Sequence, residues 1–141
     1  MRGVTVDASV ALTWCYPDEH SQYSYAVLDA LENAPALVPS LWPLEIANAL
    51  LVGERRLRLA RADVARFLEL LDALPIEIDD RTAQRAFSHT LPLARAHSLS
   101  AYDAAYLELS MREGFVLATL DQRLRKAARA VGVTVFDRQS S

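Results

Sequence analysis

Apolar positions along the chain fall into two rhythms, short β-branched runs and longer stripes of helical period, and the two alternate. Val4-Thr5-Val6 beside Gly3 reads as a short buried strand. Ala36-Leu37-Val38 between two prolines, Pro75-Ile76-Glu77-Ile78, Phe115-Val116-Leu117-Ala118 and Val133-Thr134-Val135 read as four more. Residues 9–15 suit a short helix that stops before Pro17, and the stripe Tyr23, Ala26, Val27, Ala30, Leu31 predicts a helix over 21–33. Ser40 begins a helical run through Leu44, Ile46, Ala47, Leu50 and Leu51 that ends near Gly53. Val64, Phe67, Leu68 and Leu71 share one face of a helix over 61–73. Asp79-Asp80 stand where they would cap the next helix, which Pro92 divides into two pieces between 80 and 97. Ser100, with an acid three positions later, opens a helix in a pattern close to a capping box, and 121–131 is the last helical stretch. Strands alternating with helices predict an α/β fold, a mostly parallel sheet of about five short strands covered on both faces.

Composition narrows this picture only a little. A chain of 141 residues that is 52% hydrophobic and 8% aromatic is expected to form a single domain over 1–141, burying roughly two-thirds of its unfolded surface. No apolar run reaches the roughly 18 residues needed to span a bilayer, and the N-terminus enters a strand with no signal-peptide pattern before it. The lone cysteine, Cys15, permits no intrachain disulfide and fits a reducing cytoplasm as a buried thiol. Net charge is −3, from 18 acids and 15 Lys and Arg. Setting aside four acids suspected of forming a site leaves fourteen acids against fifteen bases, so charge excludes no nucleic-acid partner.

Those four acids carry the candidate chemistry. Asp7 ends the first strand, where sites form in open α/β sheets. Asp121 follows the fourth strand in Ala118-Thr119-Leu120-Asp121, while Glu45 and Asp103 each lie in the first turn of a helix, where anions are favoured. Taken singly, each suits a helix cap or a surface position. Their neighbours are largely apolar, however, and no Lys or Arg stands close in sequence to Glu45 or Asp103. Buried carboxylates need partners, and clustered carboxylates without cations ask for a hard divalent metal, Mg²⁺ or Mn²⁺.

The segments Val6-Asp7-Ala8-Ser9, Pro43-Leu44-Glu45-Ile46-Ala47-Asn48-Ala49-Leu50, Tyr102-Asp103-Ala104-Ala105-Tyr106-Leu107 and Thr119-Leu120-Asp121 resemble the PIN-domain ribonucleases, and among them the VapC-type toxins of toxin–antitoxin pairs. The resemblance covers nearly the whole chain in order. It implies a PIN-like α/β/α sandwich and a Mg²⁺-dependent endoribonuclease that works as a homodimer and is restrained by a cognate antitoxin in a heterotetramer or larger assembly. It places Asp7, Glu45, Asp103 and Asp121 on the family's acidic quartet, with Ser9 and Thr119 as the accompanying hydroxyls. A second acid sometimes found near the last motif has no counterpart, since Gln122 and Arg123 follow Asp121.

A metal held by such carboxylates makes hydroxide available near neutral pH and neutralises charge on a phosphate. Asp7 and Asp103 are the first choice of ligands, with Asp121 and Glu45 either binding a second metal or orienting the water. Ser9 and Thr119 suit orienting roles. An aspartyl-nucleophile phosphatase would want a second acid two residues after Asp7, where Ser9 stands; a non-catalytic PIN-like binding module would not need all four acids. His20, His89 and His97 fit surface or helix-end positions and form no i,i+4 pair. Of two basic stretches, Arg55 to Arg66 and Arg123 to Arg129, the second begins beside Asp121. Its Arg123, Arg125 and Lys126 are the better candidates for RNA contact. Trp14, Tyr16 and Trp42 suit either the core or a partner groove.

Overall fold

The computed structural model describes residues 2–137. Four strands, β1 (Val4–Val6), β2 (Ala36–Val38), β3 (Ile76–Ile78) and β4 (Val116–Ala118), form a fully parallel sheet in the order β3-β2-β1-β4. The expected fifth strand shrinks to a single parallel bridge between Leu117 and Val135. Gly132 enters it at φ 80°, and among the described residues Leu117 N–H to Thr134 O and Phe136 N–H to Leu117 O are the hydrogen bonds that extend the pairing. Seven α-helices among the described residues flank the sheet and complete the α/β/α architecture: α1 (Ala8–Thr13), α2 (Gln22–Ala30), α3 (Trp42–Arg55), α4 (Arg61–Ala73), α5 (Leu91–His97), α6 (Ala101–Glu113) and α7 (Gln122–Ala130).

The core sits where the middle strands meet the helices. Val4, Val6, Val38 and Leu117 from the sheet pack with Val10, Val27, Tyr106, Leu107 and Leu124, all essentially without solvent exposure. A parallel sheet covered on both faces requires such continuous apolar strands. β3 departs from this rule because it is an edge strand, and its Ile78 is exposed.

Several boundaries move for identifiable reasons. α3 begins at Trp42 with Pro43 at its second position, where the missing N–H costs nothing. It runs past Gly53, which is small because the Tyr16 hydroxyl and Leu59 occupy the space a Cβ would need. α2 opens with a reciprocal capping box between Ser21 and Ser24. Asp79 does not cap a helix. It is buried and accepts two hydrogen bonds from Arg112, at 3.0 and 2.8 Å, and one from Thr82. Arg112 also pairs with buried Glu108, which takes a further ion pair from Arg85. This network fastens the end of β3 to α6, and helical structure resumes only with a π-helical segment at Ala86–Thr90 that leads into α5. The break expected near Pro92 is the junction of those two pieces, with Pro92 in the first turn of α5.

Candidate active site

The strand order places a switch point at β1. The chain passes outward from β1 to β2 and β3, then returns to lay β4 on the other side of β1. Ligand crevices open outside the carboxyl ends of strands at such points. Asp7 leaves β1 there, and Thr119 and Asp121 leave β4 there. The two strand ends are tied together through one carboxylate: Asp7 Oδ2 accepts from Thr119 Oγ1 at 2.6 Å and from Ser9 Oγ at 2.9 Å. Asp7 N–H donates to Ala118 O at 3.0 Å. Asp7 Oδ1 meets only the Ser9 N–H, at a long 3.5 Å, so the capping role is present but weak.

The other acids approach from the ends of helices. Asp121 is the N-cap of α7, its Oδ1 accepting from Leu124 N–H at 3.0 Å, and its own N–H donates to Thr119 Oγ1. Asp103, in the first turn of α6, has its N–H held by Ser100 Oγ at 3.1 Å. Glu45, in the first turn of α3, accepts at Oε1 from Tyr106 Oη at 2.5 Å, and Tyr106 Oη in turn accepts from Ala8 N–H at 3.4 Å. Sequence reasoning missed Tyr106. Its signal is its place three residues after Asp103, on the same face of α6, yet its ring is wholly buried and it reads as core.

The electrostatics show that these acids sense one another. Burial pushes the Asp7 carboxyl above its ordinary value; the Thr119 and Ser9 hydroxyls offset part of that, and the charge of Asp121 adds to it. Burial also raises Glu45, opposed by the Tyr106 hydrogen bond and reinforced by Asp7 and Asp103. Asp103 is raised by burial and then by the charges of Asp7 and Asp121. Burial and the adjoining Glu45 drive the Tyr106 phenol far above its usual range, so it remains a donor. Among the described residues no Lys, Arg or His pairs with any of the four acids.

No three His, Cys, Asp or Glu side chains among the described residues form a ready-made metal cage. One oxygen each of Asp7, Asp121 and Glu45 is already engaged by the protein. What the crevice offers is a set of hard, unneutralised carboxylate oxygens. That donor set suits Mg²⁺, which keeps several waters and is commonly bound through one or two carboxylates together with a substrate phosphate.

The remaining candidates fall on both sides of the expectation. Arg125 is committed within the fold: its Nε donates to Thr119 O at 2.8 Å and its guanidinium lies 4.8 Å from the centre of the Tyr23 ring. Arg123 and Lys126 are exposed. In the other basic stretch, Arg58 pairs with Asp18 and Glu19 and covers Tyr16, and Arg66 pairs with Asp63. Trp14 belongs to the core, donating to Ser24 O at 3.0 Å, and Tyr16 is buried beside it. Trp42 is also a buried member of the core, but one that lines an apolar groove of about 730 Å³ between α3, α4 and β3, and its indole N–H has no partner among the described residues. Cys15 is buried and free. His20, His89 and His97 end or flank helical segments on separate elements.

Comparison with known proteins gives the family and the fold. The PIN-domain family model matches residues 4–130. A curated relative, Ribonuclease VapC3 of Pyrobaculum aerophilum, is 30% identical over 125 residues, covering 86% of this chain and 91% of that protein. Among solved structures, PAE2754 from Pyrobaculum aerophilum superposes with a TM-score of 0.65 at 22% identity, over 89% of this chain and 84% of that one. FitAcB from Neisseria gonorrhoeae gives 0.62 at 19% identity, over 98% and 99%. These last two share the fold. With the profile spanning most of its length and the VapC relative aligned nearly end to end, the chain belongs to the PIN-domain family, among its VapC-type members.

Proposed function

We propose that this protein is a metal-dependent endoribonuclease acting as the toxin of a toxin–antitoxin pair. The observation that carries the reading is the convergence on Asp7, at the β1/β4 switch point, of carboxylates that pair with no cation among the described residues. The ribonuclease name of the VapC relative supports the choice of RNA.

Asp7 and Asp103 would hold the metal, with Asp121 and Glu45 completing its surroundings or serving a second ion. When bound, a Mg²⁺ or Mn²⁺ ion there lowers the pKa of water and neutralises charge on the phosphate. The chain's own residues do the positioning. The Thr119 and Ser9 hydroxyls fix Asp7 Oδ2 and leave Oδ1 with a single weak contact. Tyr106 holds Glu45 Oε1, leaving Oε2 free to accept a proton from the attacking water. Hydrolysis in line at phosphorus expels the 3′-oxygen and leaves a 5′-phosphate and a 3′-hydroxyl. No convergent histidine pair is present among the described residues to activate the RNA 2′-OH instead.

The apolar groove runs along α3, whose first turn carries Glu45, and groove and carboxylates would suit the two halves of an antitoxin segment. An apolar helix would fill the groove, and a following arginine would reach Glu45 or Asp103, where its guanidinium can pair bidentately and displace the metal. A homodimer is part of the same proposal, as is one domain over the whole chain. Product ends test the chemistry. Fragments of a single-stranded RNA should accept a 5′-phosphate-dependent ligase, and cleavage should survive a 2′-O-methyl group at the cut. Fragments ending in 2′,3′-cyclic phosphate would show that the 2′-OH, not water, attacks.

A further inference from the structure

α7 carries four basic residues, Arg123, Arg125, Lys126 and Arg129. Arg125 is spent on Thr119 O and the Tyr23 ring. Arg123 and Lys126, three residues apart and so on one face, line a concavity of about 480 Å³ with His97, Ser98 and several alanines. No acid lines it, and among the described residues neither Arg123 nor Lys126 forms an ion pair. The floor is small: Ala127 is buried, and Ala96 and Ala130 leave the cationic heads unobstructed.

Position gives this concavity its meaning. Asp121 caps α7 and Arg123 is the second residue of the helix, so the first of the two unneutralised cations lies within one turn of one of the four acids. A polyanion approaching four carboxylates is repelled along the crevice; cations immediately beside it offset that repulsion and fix where the strand lies. We infer that the Arg123–Lys126 concavity between the end of α5 and α7 is a subsite for a backbone phosphate of single-stranded RNA, adjoining the bond to be cut. This rests on the ribonuclease reading. Within it, the subsite fixes the path of the strand: one side of the scissile phosphate runs over α7 toward the end of α5, and its contacts are to phosphate, not to bases.

The test separates binding from cleavage. In an Asp7→Asn background, a fluorescently labelled single-stranded RNA is titrated at a series of salt concentrations and its anisotropy recorded. Each phosphate neutralised on a single strand contributes about 0.7 to the slope of log K against log salt. Arg123→Gln and Lys126→Gln should each weaken binding and flatten that slope by about 0.7, while Arg66→Gln, paired with Asp63 on α4, should leave it alone. The same substitutions in the cleaving protein should raise KM and leave kcat and the Mg²⁺ requirement unchanged. Slopes unaltered in both variants, in a protein that still cuts RNA, would overturn the subsite and leave the ribonuclease reading standing. A parent protein that binds no RNA at low salt would overturn both.

Discussion

Asp7 does two jobs with one carboxylate, since one oxygen is anchored by two hydroxyls and the other meets only the Ser9 N–H. Burial raises its pKa, so folding is opposed wherever the group must ionise; that penalty is absent below the ordinary carboxylate value and grows as pH rises through the raised one. Asp7→Asn keeps the shape and removes the charge. It should abolish RNA cleavage while leaving the thermal midpoint of the metal-free protein unchanged or higher, which calorimetry and a cleavage assay can check together. Asp103→Asn should behave in the same way, being raised by burial and by Asp7 and Asp121. Tyr106→Phe is a finer probe because the ring is wholly buried and only the hydroxyl is lost. Removing it strands Glu45 Oε1 and Ala8 N–H. A loss of about tenfold or more in kcat or in Mn²⁺ affinity follows from freeing an orienting partner, with a stability cost of about 1 kcal/mol. Equal kcat and equal Mn²⁺ affinity by titration would remove Tyr106 from the site. The acids stand out in the sequence through their apolar neighbours, the lack of cations close to Glu45 and Asp103 and the family resemblance, since each taken singly suits a helix cap; Tyr106 does not, because a buried aromatic on an apolar helix has the same signature whether or not its hydroxyl is used.

The elements were legible in proportion to their length. The stripe of α4 gave its limits, and the β-branched runs gave four strands. Val133–Val135 fell short because composition marks a segment as fit for a sheet but does not supply the neighbour it must pair with. The stretch from 79 to 90 differed most, since Asp79-Asp80 read locally as a cap while the partner of Asp79, Arg112, lies 33 residues away on α6. That network makes a prediction at this scale. Burial alone would raise Asp79, yet the hydrogen bonds from Arg112 and Thr82 outweigh it and leave the carboxyl below its ordinary value. Its contribution to stability is therefore present above the ordinary carboxylate value and is lost as pH falls through the lowered one. Arg112→Ala leaves Asp79 and Glu108 buried without their shared cation and should cost about 3 kcal/mol in urea unfolding at neutral pH. The acid end of the stability profile should also flatten. An unchanged midpoint would mean that water satisfies both acids.

For the whole molecule the decisive feature is the strand order. Placing β4 on the far side of β1 from β2 brings Thr119 and Asp121 to Asp7. The alternation of strands and helices announces a parallel sheet, and the family resemblance an α/β/α sandwich, but both leave that order open. The same arrangement leaves a cluster of negative charge with no cation among the described residues to neutralise it, which is why the account turns on a divalent metal. The most direct measurement is cleavage of a single-stranded RNA by the purified protein after chelation and then after metal is restored. The account predicts no cleavage in EDTA, recovery with Mg²⁺ or Mn²⁺, and poor support from Ca²⁺, whose larger and looser coordination suits the site less well. Full cleavage in metal-free buffer would contradict it.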